Sequence, residues 1–479
     1  MSAPIAELLA RAPAVRASRE ALGAAEGAWI VGGAIRDAAL GSEVRDLDLA
    51  VSDDEREAAH AIGRVAGGPV FQLSAEFSIW RALAADRAWH ADVTRVRGDG
   101  VEADLALRDF TVNAVAVPLA DPAAPPLDPH RGLADVESRV LRAVSARSFA
   151  DDPLRILRAA RIAAGLGLEI DEETEALARA EAERAGEPAG ERQFGELRLM
   201  LTGGDPARGL GLLDGLGATP YLLPELEALR GVEQNPYHHL DVHGHTVEVL
   251  GRLIEVEGDL EAFVGPTAAD VRALLAEPLA DELNRGGALR FAALFHDVGK
   301  PETRAVGEGG RVLFIGHDRA GARLVRELCS RLRTSRRLAD YLAGLTLNHL
   351  RLGFLVHERP LSPRHVYDYL RATDPDSVDV TVLTVADRLA TQGERTRPEA
   401  VDAHLELARE MIAEALAWRR SGPPRSPVRG DELASELGIE PGPELGRLLG
   451  EIEAAVFGGE VSTPEEAVDL ARRIRSRDR

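Results

Sequence analysis

Lysine is nearly absent from this chain: Lys300 is the only one among 57 basic residues, and genome nucleotide composition is the plain explanation for arginine in its place. Cysteine is equally scarce. Cys329 stands alone, which excludes an internal disulfide and fits a reducing compartment, the cytoplasm by default. No stretch approaches the roughly 18 apolar residues a membrane span requires, so membrane insertion is not expected. The N-terminal stretch Met1–Gly27 has no basic start, apolar core or cleavage site of a signal peptide; it alternates apolar and charged residues like an amphipathic helix. An excess of positive charge is missing too. A formal net charge of −22 argues against indiscriminate nucleic-acid binding, because neutralising phosphates needs clustered Lys and Arg. Clusters do occur locally, and a groove can be basic in an acidic protein. Arg142, Arg147, Arg155, Arg158 and Arg161 crowd one segment. Arg331, Arg333, Arg336 and Arg337 form another, which reads equally well as solvated helix faces.

What is present suits a soluble globular chain: 479 residues, 45% hydrophobic and 28% charged, enough for three or four domains. From Trp29 to about Val117, β-type runs (Trp29–Val31, Asp48–Val51, Trp89–Val96, Asn113–Val117) alternate with helical patterns, which predicts an α/β region. The Pro-rich stretch Asp121–Pro129 marks a boundary or a long loop. From Ser148 onward the pattern is Leu/Ala/Arg-rich with helical periodicity, as in Pro153–Ala164 and Ala288–Phe295. Gly and Pro break it near Gly203–Pro206, Asn235–Pro236, Gly307–Gly310 and Gly422–Arg425.

Val31–Val51 (VGGAIRDAALGSEVRDLDLAV) carries two devices. Gly32 and Gly33 let backbone amides close on a phosphate at the start of a helix near Ala34, with Arg36 one turn in. In Asp46-Leu47-Asp48, strand alternation puts both carboxylates on one face, within reach of a shared pair of hard divalent cations. Each device alone is usually a turn or a solvated edge; together they suit two-metal phosphoryl transfer. At this point the chain resembles the DNA polymerase beta-like nucleotidyltransferases. More closely, it resembles the class II (bacterial-type) tRNA CCA-adding enzyme and poly(A) polymerase family. The likeness continues through Arg108-Asp109-Phe110-Thr111-Val112-Asn113-Ala114, similar to that family's RRDFTINA motif. It implies nucleotide binding by Arg108, Asp109 and Asn113. Leu107 stands where the family commonly has a second arginine. Asp92, in DVTRVR, looks like the family's further catalytic carboxylate, with a plain strand-edge acid as the alternative.

Asp151-Asp152-Pro153-Leu154-Arg155 is similar to the family's EDxxR motif, with Arg158 and Arg161 beyond it as further nucleotide-binding residues. On a helix Asp152 and Arg155 would be neighbours on one face. A carboxylate beside a guanidinium accepts from an exocyclic amine and donates to a ring acceptor; cytosine and adenine both offer that pair, and uracil does not. An i,i+3 salt bridge is the structural alternative. Glu191-Arg192 and Glu196–Leu201 look like the family's next motif, packing beneath the nucleotide pocket.

Nine of the 13 histidines lie between His238 and His365. FAALFHDVGK predicts an apolar helix ending in His296-Asp297, a start for a divalent cation of Mn, Fe, Ni or Mg character. The order His245, His296-Asp297, Asp387 resembles the HD phosphohydrolase superfamily, and His317 and His349 look like the extra histidines of HD domains that bind two metals. Lys300 is placed to neutralise a substrate phosphate. His60, His90, His130, His357 and His404 read as ordinary surface or core residues, while His238, His239 and His243 stay ambiguous. Arg429–Leu449 looks like the family's C-terminal tail, an RNA contact or a packing element.

The expected fold is α+β: a polymerase-beta-like nucleotidyltransferase α/β head (residues 1–140), a helical neck and body (141–232), an HD domain (233–395) and a helical tail (396–479). The resemblance implies template-independent addition of C, C and A to the tRNA 3′ end from CTP and ATP. It also implies Mg²⁺ at Asp46 and Asp48, and phosphatase, 2′-nucleotidase or 2′,3′-cyclic phosphodiesterase activity where an HD site is intact. A poly(A) polymerase, or an enzyme adding only CC or only A, shares the same motifs.

Overall fold

The computed structural model describes residues 3–23, 27–74 and 78–477, and the chain divides between Leu222 and Leu223 into two compact units. The N-terminal amphipathic stretch is two helices rather than one, Ala3–Arg11 and Pro13–Leu22, with Pro13 starting the second; residues 1, 2 and 24–26 of that stretch lie outside the described residues.

The first unit is built on a six-stranded sheet of order β3-β4-β5-β2-β1-β6, with β1 Ala28–Val31, β2 Asp46–Val51, β3 Val70–Ser74, β4 Ile79–Leu83, β5 His90–Arg95 and β6 Ala116–Pro118. Among the described strands of this sheet, β2 and β5 alone pair in parallel. The alternation in β2 decides which face does what. Leu47, Leu49 and Val51 join the core formed with Ile30, Ile35, Ile62 and Val93, leaving Asp46 and Asp48 on the opposite face. Strands β3 and β4 were not among the expected β runs; β3 is half-open, with Phe71 and Leu73 each 42% exposed. Their presence makes β5 an interior strand, so Asp92 does not lie at a sheet edge. The helix Glu55–Ala66, capped by Asp54 at its start and by left-handed Gly67 at its end, packs on β4 and β5. Asp121–Pro129 is a loop and not a boundary: Leu127 bridges back to Ala116, and the helix Gly132–Glu137 packs on the turn Thr111–Asn113. Helices Leu154–Leu166, Gly190–Leu201 and Pro206–Gly215 then pack on one another.

The second unit is helical. Helices Val242–Gly258, Arg285–Phe295 and Ser377–Ala390 pack together, His317–Arg331 lies against Arg336–Asn348, and Pro398–Ser421 lies against Ser377–Ala390. The break at Gly307–Gly310 is the tip of a small hairpin, Ala305–Val306 with Val312–Leu313. The last three helices, Gly430–Leu437, Pro443–Phe457 and Pro464–Arg477, share their own core of Leu433, Leu448, Ile452 and Val468. This favours the packing-element reading of Arg429–Leu449.

A buried ion pair holds two of these helices in register. Arg285, at the start of one, donates through Nη2 to Asp379 Oδ2 at 2.5 Å and to Asp376 Oδ1 at 2.6 Å. Tyr341 Oη donates to Asp379 Oδ1 at 2.8 Å. Asp379 is fully buried, so removing it strands a buried guanidinium. Asp379→Ala is expected to cost about 3–5 kcal/mol, read as a lower urea midpoint; an unchanged midpoint would show that the pair contributes nothing.

Candidate active site and candidate metal centre

Sheet register assembles the first site. Asp48 of β2 lies opposite Asp92 of β5 on one side and Val31 of β1 on the other, while Asp46 lies opposite His90. Gly32 follows β1 with φ of 72°, and a side chain there would meet Asp48 Oδ2 at 2.7 Å and Arg108 Nη1 at 3.1 Å. The glycine therefore lets Asp48, Arg108 and the turn converge. The Gly33 amide approaches Asp48 Oδ2 at 3.4 Å. Burial, then the nearby Asp92 charge, raises the Asp48 pKa against the pull of Arg108, the Gly33 amide and Arg36. A carboxylate under that strain is one a divalent cation would relieve, and in this respect the residues fit a metal. Asp46 is open, its side chain 77% exposed, with His90 Nδ1 at 3.1 Å. Asp92 is gripped by Arg81, whose Nε and Nη2 donate to its two oxygens at 2.7 Å each.

Around this row the arginines are held by carboxylates. Arg108 donates through Nε and Nη2 to Asp104 Oδ2, which keeps Nη1 facing Gly32. Arg36 donates to Asn113 Oδ1 at 2.7 Å, Asn113 donates to Asp109 Oδ1 at 3.1 Å, and Arg158 donates twice to Asp109 Oδ2. Arg158 also reaches Glu196 Oε1 at 2.8 Å, and Arg161 donates to Glu196 Oε2 at 2.5 Å. Burial alone would raise the Asp109 pKa. The Arg158 charge and the hydrogen bonds from Asn113, Arg158 and the Phe110 amide instead hold it well below the ordinary carboxylate range. Glu196, read from sequence as packing, is thus the hub of Arg158 and Arg161. A small cavity of about 220 Å³ beside them is lined by Arg36, Arg161, Leu199 and Met200.

The pairing of Asp152 with Arg155 on one helix needs correction. The helix begins only at Leu154, after Pro153, and Asp152 precedes it in extended backbone. Asp152 Oδ2 accepts from Arg192 Nη2 at 2.7 Å. Arg155 donates to the backbone carbonyls of Leu107, Arg108 and Ser148. Leu107, where a second arginine was expected, contributes only its carbonyl to this grip. Arg81 and Asp104 were missed, His90 was read as an ordinary residue, and Arg192 was read as packing beneath the pocket and not as the partner of Asp152. For His90 a signal existed, since His90-Ala91-Asp92 repeats the every-other-residue polar pattern of Asp46-Leu47-Asp48.

In the second unit six expected ligands converge. His296 caps the end of its helix with Nε2 at 3.2 Å from Asp297 Oδ2, and His245 Nε2 lies 3.1 Å from Asp387 Oδ1 and 3.8 Å from Asp297 Oδ2. His317 and His349 place Nε2 at 3.4 and 3.7 Å from Asp297 Oδ1. The ring orientations are fixed from behind: the Nδ1 atoms of His296, His317 and His349 bond the carbonyls of Ala293, Phe314 and Thr346 at 2.6–2.8 Å. Gly299 permits this convergence, because a side chain there would lie 2.1 Å from the His317 carbonyl. Two groups, His245-His296-Asp297 and Asp297-His317-His349, each bring their ligand atoms within 4.8 Å. Asp297 Oδ1 and Oδ2 and His296 Nε2 are buried without a hydrogen-bond partner. Such orphaned atoms are costly in a protein interior and fit a bound cation. Burial and the His296 charge push His349 down to about 4, so it stays neutral, the ligating state.

Lys300 is not free for a substrate phosphate. Its Nζ donates to Gln234 Oε1 at 2.7 Å and makes an ion-pair contact, outside hydrogen-bond geometry, with Asp297 Oδ2 at 2.6 Å. The metal cluster opens on a cleft of about 600 Å³ whose wall includes Arg388 and His404. His404, read from sequence as ordinary, is 6% exposed. No helix among the described residues is long and apolar enough to cross a membrane.

Comparison with known proteins agrees with this layout. The poly A polymerase head domain matches residues 28–142, the probable RNA- and SrmB-binding site of polymerase A matches 167–229, and the HD domain matches 272–392. The chain is 35% identical over 453 residues to the A-adding tRNA nucleotidyltransferase of Deinococcus radiodurans, covering 93% of this chain and 95% of that one. It is 35% identical over 460 residues to the CC-adding tRNA nucleotidyltransferase of Thermus thermophilus, covering 92% of each. Among solved structures, the Bacillus stearothermophilus CCA-adding enzyme in complex with CTP shares the fold at a TM-score of 0.61 and 22% identity, covering 100% of this chain and 99% of that one.

The Asp109 network makes a pH-dependent prediction. A depressed folded-state pKa contributes stability that is complete above the unfolded value, about 3.9, and is lost as pH falls through the folded value. Asp109→Asn is therefore expected to be less stable than wild type at pH 7, with a gap smaller by about 1 kcal/mol at pH 3, measured by urea unfolding. An equal gap at both values would mean the carboxylate is not held ionised by Arg158.

Proposed function

Because the chain belongs to the family of tRNA nucleotidyltransferases and poly(A) polymerases, we propose that it adds C, C and A without a template to the 3′ end of tRNA, using CTP and ATP. The observation that carries this reading is the row of Asp46, Asp48 and Asp92 set by strand register beside the Gly32–Gly33 turn. Mg²⁺ is the ion assigned to Asp46 and Asp48, since carboxylate oxygens are the donors these two residues offer; when bound, it would activate the RNA 3′-hydroxyl and neutralise the leaving pyrophosphate. Gly32, Gly33 and Arg36 receive the triphosphate, and Arg108, steadied by Asp104, keeps Nη1 for nucleotide phosphate or sugar. Asp109 and Asn113 hold Arg36 and Arg158 in place, and Arg158 and Arg161 edge the nucleotide pocket.

For base choice, Asp152 is the acceptor for the exocyclic amine of cytosine or adenine, and Arg192 fixes it. Arg155 reads the adjacent acceptor once it exchanges a backbone carbonyl for the base. A uracil carbonyl would face the Asp152 carboxylate and leave both unpaired, which discriminates strongly. Residues 1–140 thus form the head, 141–232 the base-selecting neck and body, 233–395 a metal-dependent phosphohydrolase-like HD domain, and 396–479 a tail. At the HD cluster the imidazole-rich set suits Mn, Ni or Fe better than Mg²⁺. The buried, unpaired Cys329 suits a cytoplasmic enzyme.

A second reading has a specific observation in its favour: two relatives that match over more than nine-tenths of both chains are an A-adding and a CC-adding tRNA nucleotidyltransferase. One assay separates the readings. The protein is incubated with Mg²⁺ and tRNA lacking its last three nucleotides, or lacking only the last, with CTP and ATP singly and together, and products are resolved to one nucleotide. Extension by CCA supports the main reading. Arrest after CC, or extension only of the tRNA that already ends in CC, supports a partial enzyme; no extension of either overturns both. Asp48→Ala is expected to abolish incorporation while the protein stays folded, and undiminished incorporation would remove Asp48 from the reaction. His296→Ala is expected to lower Mn²⁺ or Ni²⁺ content, measured by elemental analysis after dialysis, and full occupancy would refute the HD cluster as the binding site.

A further inference from the structure

The metal cluster accounts for part of the lining of the cleft in the second unit and leaves another part without a role. That part includes Arg388, next after Asp387 at the end of helix Ser377–Ala390, and His404 from helix Pro398–Ser421. The second helix lies beyond residues 272–392, where the HD domain matches. Two observations set these side chains apart. The Arg388 guanidinium makes no hydrogen bond or ion pair with any described residue, and its Nε is buried without a partner. Almost every other arginine of comparable burial here is paired, as Arg285 and Arg290 are. An unpaired, half-buried guanidinium in a cleft is a site for an anion, and phosphate oxygens match its fork of donors. The cation expected for that task, Lys300, is already engaged by Asp297 and Gln234.

His404 is nine-tenths buried, and its Nε2 has no partner while the ring's other side faces the Thr384 backbone. With one ring nitrogen turned to the Thr384 backbone as donor, the tautomer leaves the buried, partnerless Nε2 as an acceptor. An acceptor of this kind takes a hydroxyl.

We infer that Arg388 and His404 form a ligand-binding wall for a phosphate ester that carries a hydroxyl next to its phosphoryl group. Arg388 takes phosphoryl oxygens and His404 Nε2 accepts from the hydroxyl. The inference rests on the metal-dependent phosphohydrolase reading of the HD cluster and adds to it the residues that choose the ligand.

The test is calorimetric titration of the Mn²⁺-loaded full chain with inorganic phosphate, then with 3′-AMP and its 2′-deoxy counterpart. Arg388→Gln is expected to weaken phosphate binding by roughly tenfold to a hundredfold, with Mn²⁺ content and circular dichroism unchanged, and Arg388→Lys is expected to recover part of the loss. His404→Ala is expected to keep phosphate affinity and to erase the wild-type preference for 3′-AMP over the deoxy compound. Phosphate binding by Arg388→Gln equal to wild type, or no binding by wild type at all, overturns the inference. A wild-type protein that binds phosphate through Arg388 yet hydrolyses neither 3′-AMP nor a cyclic phosphate supports the wall and overturns the hydrolase reading instead.

Discussion

Asp109 could not stay buried and ionised without Arg158, and much of the first unit is arranged around that pair. A lone carboxylate in a protein interior either takes a proton or pulls the fold apart. Here Arg158 donates to it twice, and Asn113 and the Phe110 amide bind its other oxygen. The pair joins the segment between β5 and β6 to the helix Leu154–Leu166, and Glu196 extends it to a third element, the helix Gly190–Leu201. Through Asn113 the same chain of bonds reaches Arg36 beside the Gly32–Gly33 turn. Arg36, assigned to the triphosphate, and Arg158 and Arg161, which edge the nucleotide pocket, are therefore fixed by one connected set of charges, a form of preorganisation.

The two units balance buried charge in opposite ways. In the first, burial and then the like charge of Asp92 on the adjacent parallel strand leave Asp48 with a raised pKa, a deficit that a cation arriving with a nucleotide would fill. In the second, Asp297 is surrounded by His296, His317 and Lys300, which hold it well below the usual carboxylate range although burial acts the other way. A permanently bound ion suits the second arrangement, and one exchanged with each substrate suits the first. Overall acidity is no obstacle to either, since a groove can be locally basic in an acidic protein.

Much of this was readable in the sequence. The every-other-residue rule placed Asp46 and Asp48 on one face before any register was known, and the apolar helix ending in His296-Asp297 stands where its pattern put it. What could not be read was partnership across long separations. Nothing near Asp152 announces Arg192, 40 residues away, and the helix that was to pair Asp152 with Arg155 begins after Pro153. Strands β3 and β4 escaped notice; Phe71-Gln72-Leu73-Ser74 does alternate, but its apolar side chains Phe71 and Leu73 stay exposed instead of joining the core. His404 looked ordinary because its significance comes from a cleft assembled by helices that are distant in sequence.

The central claim is nucleotidyl transfer to RNA at the carboxylate row, and the fate of the β and γ phosphates tests it most directly. With [γ-³²P]CTP, Mg²⁺ and tRNA lacking its 3′ terminus, labelled pyrophosphate should appear in step with nucleotide joined to tRNA, and only when tRNA is present. Release of labelled orthophosphate from CTP, independent of RNA, would mean that the head hydrolyses nucleotides and would contradict the account.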